Sequence, residues 1–181
     1  MDAPSRPVVT LDLDGLDKLI SLLGERGYDI WAPVVNNGVI THDRIESVKE
    51  LPVGWTDDQA PGRYRLVPRT DGSRFGYAVG PQSFKGLLHP PKTQVWSMTR
   101  DETGSLNIRM VQPGAAPMAF LGVRPCELAA IGKQDRILRE GPHVDPSYDA
   151  LRSSALIIAV NCSDPAATCF CSSMGCGPAA D

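Results

Sequence analysis

Two short apolar runs in the last third of the chain constrain its fold more than any other feature. Residues 119–123 (AFLGV) and 155–160 (ALIIAV) are continuous hydrophobic stretches, a pattern typical of strands that are buried on both faces. Pro125 suits the first turn of a helix whose apolar face continues to about Arg139. Strand, helix and strand make a βαβ unit, so we expect the two strands to run parallel in one sheet.

The chain before these runs indicates hairpins instead. After a loose arm over residues 1–10, apolar residues at helical spacing predict a helix over residues 16–23. Turn signals such as Asn37-Gly38 then separate short strand-like segments. The predicted strand pairs are 28–35 with 39–41, 63–68 with 75–79, and 93–98 with 106–111. The expected fold class is α/β (mixed α+β), with a β-hairpin-rich N-terminal part followed by a βαβ unit.

Each apolar run leads into a cysteine. Cys126 opens the predicted helix, and Cys162 comes shortly after the second run. Because the carboxyl ends of parallel strands meet at one edge of a sheet, we expect these thiols to lie close together, although 36 positions separate them. Cys169 and Cys171 are expected on a cysteine loop that returns over the same edge. Since the start of a helix favours an anion, we also predict a lowered thiol pKa for Cys126.

Four of the five cysteines follow the spacing C-x6-C-x-C-x4-C near the end of the sequence. Thiols gathered in a chain that shows no secretion signal favour a metal site over disulfides. The spacing is neither that of zinc ribbons nor that of bacterial ferredoxins. The ligands that we assign to an iron–sulfur site are Cys126, Cys162, Cys169 and Cys171. Structural zinc and free or redox-active cysteines remain open alternatives, and Cys176 is the candidate spare thiol unless it replaces Cys126.

Charge and hydropathy exclude several classes of partner. The formal net charge of -3 implies no basic face for nucleic acid. No stretch approaches the ~20 apolar residues of a membrane helix, so membrane insertion is not expected. The first seven residues lack the apolar run of a signal peptide. We therefore predict a cytoplasmic protein, in which thiols stay reduced.

Lys85 is the one cation that we single out as a candidate for cofactor binding. It lies in a short helix predicted from Ser83 to Leu88. Its ammonium can neutralise a negatively charged cluster or cofactor, with a solvated surface lysine as the alternative. Asp57 and Asp58 are adjacent carboxylates, but the Pro-Gly turn that follows predicts a solvated loop rather than a catalytic acid pair.

The residues around the cysteines also resemble a known family. The segments GVRPCELAAI (122–131), NC (161–162) and CFCSSMG (169–175) are similar to the beta subunits of cytosolic NiFe sulfhydrogenases and to the A subunit of anaerobic sulfite reductase. RYRL (63–66) and GPQSFK (80–85) fit the same pattern. More distantly, the pattern is similar to the beta subunits of F420-reducing hydrogenases, which add a flavin.

The resemblance implies an electron-transfer subunit that holds 4Fe-4S clusters and connects a flavin–nicotinamide subunit to a hydrogenase or sulfite reductase catalytic subunit. It covers most of residues 12–178, so the chain is expected to form a single domain, 1–181, like the N-terminal cluster-binding part of that family. We expect the chain to lack the ferredoxin-like half that follows in the family. Family members usually carry a small residue other than cysteine at the position of Cys176. A zinc-dependent assembly domain and a flavin-binding (FAD) oxidoreductase domain are the alternative functions.

Overall fold

The computed structural model describes residues 8–111 and 116–180, so residues 1–7 of the predicted arm lie outside it. The described protein is a mixed α/β fold with several hairpins, as predicted. Its helices are α1 (Leu13–Glu25), α2 (Lys85–Leu88), α3 (Pro125–Leu138) and α4 (Pro146–Ser154). Its strands are β1 (Asp29–Asn36), β2 (Val39–Arg44), β3 (Trp55–Ala60), β4 (Arg63–Pro68), β5 (Trp96–Arg100), β6 (Leu106–Met110), β7 (Met118–Val123) and β8 (Ala155–Ala159).

A mixed sheet in the order β2-β1-β7-β8 forms the centre of the fold. β1 and β2 are antiparallel, and Asn37 and Gly38 at their turn both have positive φ, which is what a tight hairpin requires. β7 runs parallel to both of its neighbours, β1 and β8. The carboxyl ends of β7 and β8 therefore lie at the same edge of the sheet.

One face of the sheet packs against α1. Asp12 caps this helix through its carboxylate, and Ile20 and Leu23 on its inner side join Ile30 and Leu121 of the sheet in a buried core. The opposite face packs against α2, α3 and α4 in a second core. None of the helices in the described ranges is long and apolar enough to cross a membrane.

β7 supplies both cores through its alternating side chains, and a bulge near its end reverses the alternation. Within residues 118–121 the odd positions belong to the core under α1, whereas the even positions belong to the core under α2, α3 and α4. The pairing with β8 shifts at Gly122, so Val123 joins the second core. Gly122 has a φ of 90°, and a Cβ there would lie 2.7 Å from Cε1 of Phe75. Glycine is therefore required at the position that leads the chain into α3.

The second predicted hairpin is formed by different strands. β4 matches the predicted segment 63–68, but its partner is β3 rather than residues 75–79. Asp57 lies in β3 instead of a solvated loop, and its carboxylate accepts a hydrogen bond from the Ala78 N–H at 2.5 Å. Segment 75–79 is thus held by side-chain contacts and not by a strand ladder, which a pattern of alternating residues cannot reveal.

The third predicted hairpin is confirmed as β5 and β6, which pair antiparallel from Trp96 opposite Met110 to Arg100 opposite Leu106. These strands form a separate two-stranded sheet, and within the described ranges they pair with no other strand. Almost every residue in them is exposed.

Candidate metal centre

Cys126 lies in the first turn of α3, half-buried at the edge where β7 ends. Its thiol pKa is raised to about 11, so the predicted lowering is wrong. Burial is the main cause, and the neighbouring Glu127 carboxylate, itself buried, is the next. Both effects disfavour the thiolate more than the start of the helix favours it.

Cys162 comes three positions after the end of β8. Its N–H donates to the Pro178 carbonyl at 2.9 Å, and the Ala180 N–H donates to Asn161 Oδ1 at the same distance. The chain beyond Cys162 therefore returns to the place where it left the strand. We call residues 161–180 the cysteine loop.

Cys169 and Cys171 lie in the middle of this loop. The Ala166 N–H donates to Cys169 Sγ at 3.3 Å, an arrangement that favours a thiolate. Cys171 opens a 3-10 turn, Cys171–Met174, which Gly175 ends in the left-handed region at a φ of 64°. Cys169 is exposed, and Cys171 is half-buried.

The cysteine loop packs directly against the start of α3. A Cβ on Gly177 would lie 3.6 Å from Pro125 Cβ and 3.9 Å from Cys171 Cβ. Burial is the main cause of the raised pKa of both Cys126 and Cys169, but the thiols of Cys162 and Cys171 contribute in both cases. The contacts of Gly177 therefore place the cysteine loop beside the start of α3, where Cys126 lies. We call Cys126, Cys162, Cys169 and Cys171 the thiol rim.

The thiol rim is not a closed site for a single ion. Among the Cys, His, Asp and Glu residues of 8–111 and 116–180, no three are grouped closely enough to hold one metal ion. A tetrahedral zinc site would bring its sulfurs to about 3.8 Å from one another, because each Zn–S bond is about 2.3 Å long. A 4Fe-4S cluster binds each thiolate through a different iron, so its ligands are spaced more widely.

Cys176 is engaged differently from the other four cysteines. Its N–H and its thiol both approach the Cys171 carbonyl, at 3.0 Å and 3.6 Å. It is also not among the main causes of the pKa shifts of Cys126 and Cys169. The thiol thus has a backbone acceptor, and its interpretation as the spare stays a prediction.

A buried cation, Arg124, joins the two strand ends beneath the thiol rim. It is only 3% exposed. Its guanidinium donates to the carbonyls of Asn161, at 2.8 Å, and of Phe75 and Tyr77, at 2.5 Å and 2.8 Å. Arg124 therefore fixes the segment before Cys126 to the segment before Cys162. Arg124 is not among the residues predicted from the sequence, although an arginine between an apolar strand and a helix-opening proline is a signal for it.

The β3–β4 hairpin contacts the opposite side of the cysteine loop. The Thr168 hydroxyl lies 3.3 Å from Gln59 Oε1, and Arg69, just after β4, forms an ion pair with Asp164 at 3.1 Å. The loop is therefore held on one side by α3 and on the other by the hairpin. The sequence offers no signal for the contact between the hairpin and the cysteine loop, because these partners are about 100 positions apart.

Lys85 begins α2, next to the start of α3. Glu127 connects the two helices, since its Oε1 accepts a hydrogen bond from the Phe84 N–H at 3.2 Å. The Lys85 ammonium makes no hydrogen bond or ion pair within the described ranges, and it is not among the main charges acting on Cys126 or Cys169. A cofactor-binding role for Lys85 stays a prediction.

Comparisons of the chain with protein-family models, with curated proteins and with solved structures find no match.

Proposed function

We propose that the protein is an iron–sulfur electron-transfer module in which the thiol rim binds one 4Fe-4S cluster. The proposal treats residues 118–159 as a βαβ unit that carries the cysteine loop at its strand carboxyl ends. It assigns the protein to a cytoplasmic redox complex. There it passes electrons between a flavin–nicotinamide subunit and the catalytic subunit of a hydrogenase or sulfite reductase.

The observation that carries the proposal is the packing of the cysteine loop against the start of α3. Cys126 comes from the start of α3, and the other three rim cysteines come from the cysteine loop, where a Cβ on Gly177 would lie within 4 Å of both Pro125 and Cys171. Thiolates are the ligands that iron–sulfur clusters require.

A bound cluster supplies one-electron redox chemistry, and the protein residues set the conditions for it. Backbone N–H groups that point at sulfur, such as that of Ala166 at 3.3 Å from Cys169 Sγ, stabilise the reduced, more negative state. Such N–H donors raise the reduction potential above that of the same cluster without them.

The outer side of the cysteine loop offers a contact for a redox partner. Phe170 is 68% exposed and Met174 50% exposed, on either side of Cys171. Exposed apolar residues beside a redox centre favour a close approach of the partner and a short path for the electron. We therefore place the partner subunit on this side of the loop.

Anaerobic purification tests the proposal. We expect a brown protein with a broad visible absorption and about four iron atoms and four acid-labile sulfides per chain. Reduction with dithionite should give the electron paramagnetic resonance signal of a reduced cluster. A colourless protein with one zinc and no sulfide would indicate the zinc-dependent assembly domain. A yellow protein with bound flavin would indicate the flavin-binding oxidoreductase domain. Either result would overturn the proposal.

Two matched substitutions test the ligand assignment. Cys126→Ser should lower the iron content to less than about one atom per chain, because it removes a ligand that no described neighbour replaces. Cys176→Ser should keep the full iron content, since this thiol already contacts the Cys171 carbonyl at 3.6 Å. The opposite result, with iron lost only in Cys176→Ser, would show that Cys176 replaces Cys126.

A further inference from the structure

The β5–β6 hairpin has one apolar face and one polar face. Residues directly opposite each other in an antiparallel pair share a face. Trp96 with Met110 and Met98 with Ile108 are such pairs, and Leu106 lies opposite Arg100 at the end of the same face. The other face carries Ser97, Thr99, Asn107 and Arg109. We call the five hydrophobic side chains the hairpin face: Trp96, Met98, Leu106, Ile108 and Met110.

The hairpin face is uncovered in the single chain. Its five side chains are between 50% and 64% exposed, and no helix or strand in the described ranges packs on it. A two-stranded hairpin is at best marginally stable in water, and needs further strands or a covering layer to persist. The face therefore needs an occupant.

The area of the face suits a small symmetric interface. Large side chains exposed to this degree contribute on the order of 100 Å² each, so the face presents roughly 500 Å², near the upper limit for a monomer. Two such faces packed together would bury about 1,000 Å², which is the lower limit for a specific interface. A second copy thus supplies the area that the hairpin lacks.

The ends of the face are complementary to each other. Trp96 lies at one end and Arg100 at the other, about 13 Å apart along the strand. In a two-fold symmetric contact with antiparallel hairpins, the Arg100 guanidinium of each copy lies over the Trp96 ring of the other, a cation–π contact. The same rotation places the apolar pair Met98 and Ile108 at the centre, where it is covered completely.

We propose that a second copy of this chain covers the hairpin face, forming a two-fold dimer in which the two hairpins pack face to face. The resulting layer has two β-ribbons about 10 Å apart, as in a small sandwich. The thiol rim contributes no residue to this contact, so the inference is independent of the proposed function. Because the interface is at the lower size limit, we expect a dissociation constant in the micromolar range.

Sedimentation velocity of the purified full chain, from about 1 μM to about 1 mM, tests this proposal. We expect conversion from the 19.5 kDa monomer to a species of twice that mass. Ile108→Lys should weaken dimerisation about 100-fold, because it places a charge at the centre of the contact. Asn107→Lys makes the same kind of change at the adjacent position on the polar face and should leave the dissociation constant within about threefold.

A second variant shows whether a loss of dimerisation comes from the contact itself or from misfolding of one variant. Met98→Lys changes the opposite strand and should act like Ile108→Lys, with circular dichroism unchanged in both. A wild-type chain that stays monomeric at every concentration would overturn the proposal and leave the face to a different protein. The proposal would also be overturned if Asn107→Lys weakened dimerisation as much as Ile108→Lys does. The same holds if neither Ile108→Lys nor Met98→Lys weakened it. Iron content is measured separately, so loss of the cluster with the dimer intact counts only against the proposed function.

Discussion

At the scale of single residues, the buried guanidinium of Arg124 is bound by main-chain carbonyls, while the buried Glu127 carboxylate nearby also interacts with its charge. Its donors are taken up by main-chain carbonyls of Asn161, Phe75 and Tyr77, and its guanidinium lies 5.5 Å from the centre of the Tyr77 ring. These acceptors come from segments that no strand ladder joins. Arg124 therefore replaces backbone pairing as the connection between segment 75–79 and the ends of β7 and β8.

Replacing Arg124 tests this connection. Arg124→Met leaves three buried carbonyls without donors, and at about 1–3 kcal/mol for each unsatisfied group it should lower the free energy of unfolding by about 3 kcal/mol or more. Arg124→Lys keeps the charge but cannot reach all three acceptors, so we expect a smaller loss. Denaturant unfolding measures both. Arg136→Met, on an exposed position of the same helix, is the control and should change the value by less than about 0.5 kcal/mol. A similarly small effect in Arg124→Met would show that the carbonyls find other donors.

At the scale of elements, the bulge in β7 decides how the strand continues into α3. Gly122→Ala combines a strained φ with a contact of 2.7 Å to Phe75, and we expect a loss of about 2–4 kcal/mol in thermal or denaturant unfolding. Gly132→Ala, within α3, has no atom within 4 Å of the new Cβ and should stabilise the helix by about 0.5–1 kcal/mol. Equal effects of the two substitutions would contradict the special role of Gly122.

The sequence alone was sufficient to predict those elements that depend on neighbouring residues in the chain, such as apolar runs and turn residues. The runs 119–123 and 155–160 became β7 and β8, but only β7 is buried on both faces, because β8 is the edge strand of the sheet. Asn37-Gly38 tolerates the positive φ that its turn needs. Alternation in 63–68 predicted a strand but could not choose its partner, because segment 75–79 is held by Asp57 and Arg124 through side chains. The raised pKa of Cys126 was missed for a similar reason, since burial and Glu127 act through the tertiary fold.

At the scale of the whole molecule, a cluster on the thiol rim would connect two parts of the chain that are otherwise joined by hydrogen bonds and packing. Closing a loop of this length, from Cys126 to Cys162, is worth about 3–4 kcal/mol in the unfolded chain. We therefore expect removal of iron to raise hydrogen-exchange rates in the cysteine loop by about 100-fold or more, whereas α1, on the far face of the sheet, should change little. A uniform change across the molecule would argue against a cluster at this rim.

The position of β7 between two cores has a consequence for cooperativity. Because its alternate side chains enter both cores, neither layer can come apart without withdrawing half of the strand's packing from the other. Melting of the two layers is therefore coupled into one all-or-none transition. The β5–β6 hairpin, which shares no side chain with either core, is free to open and close in advance of that transition.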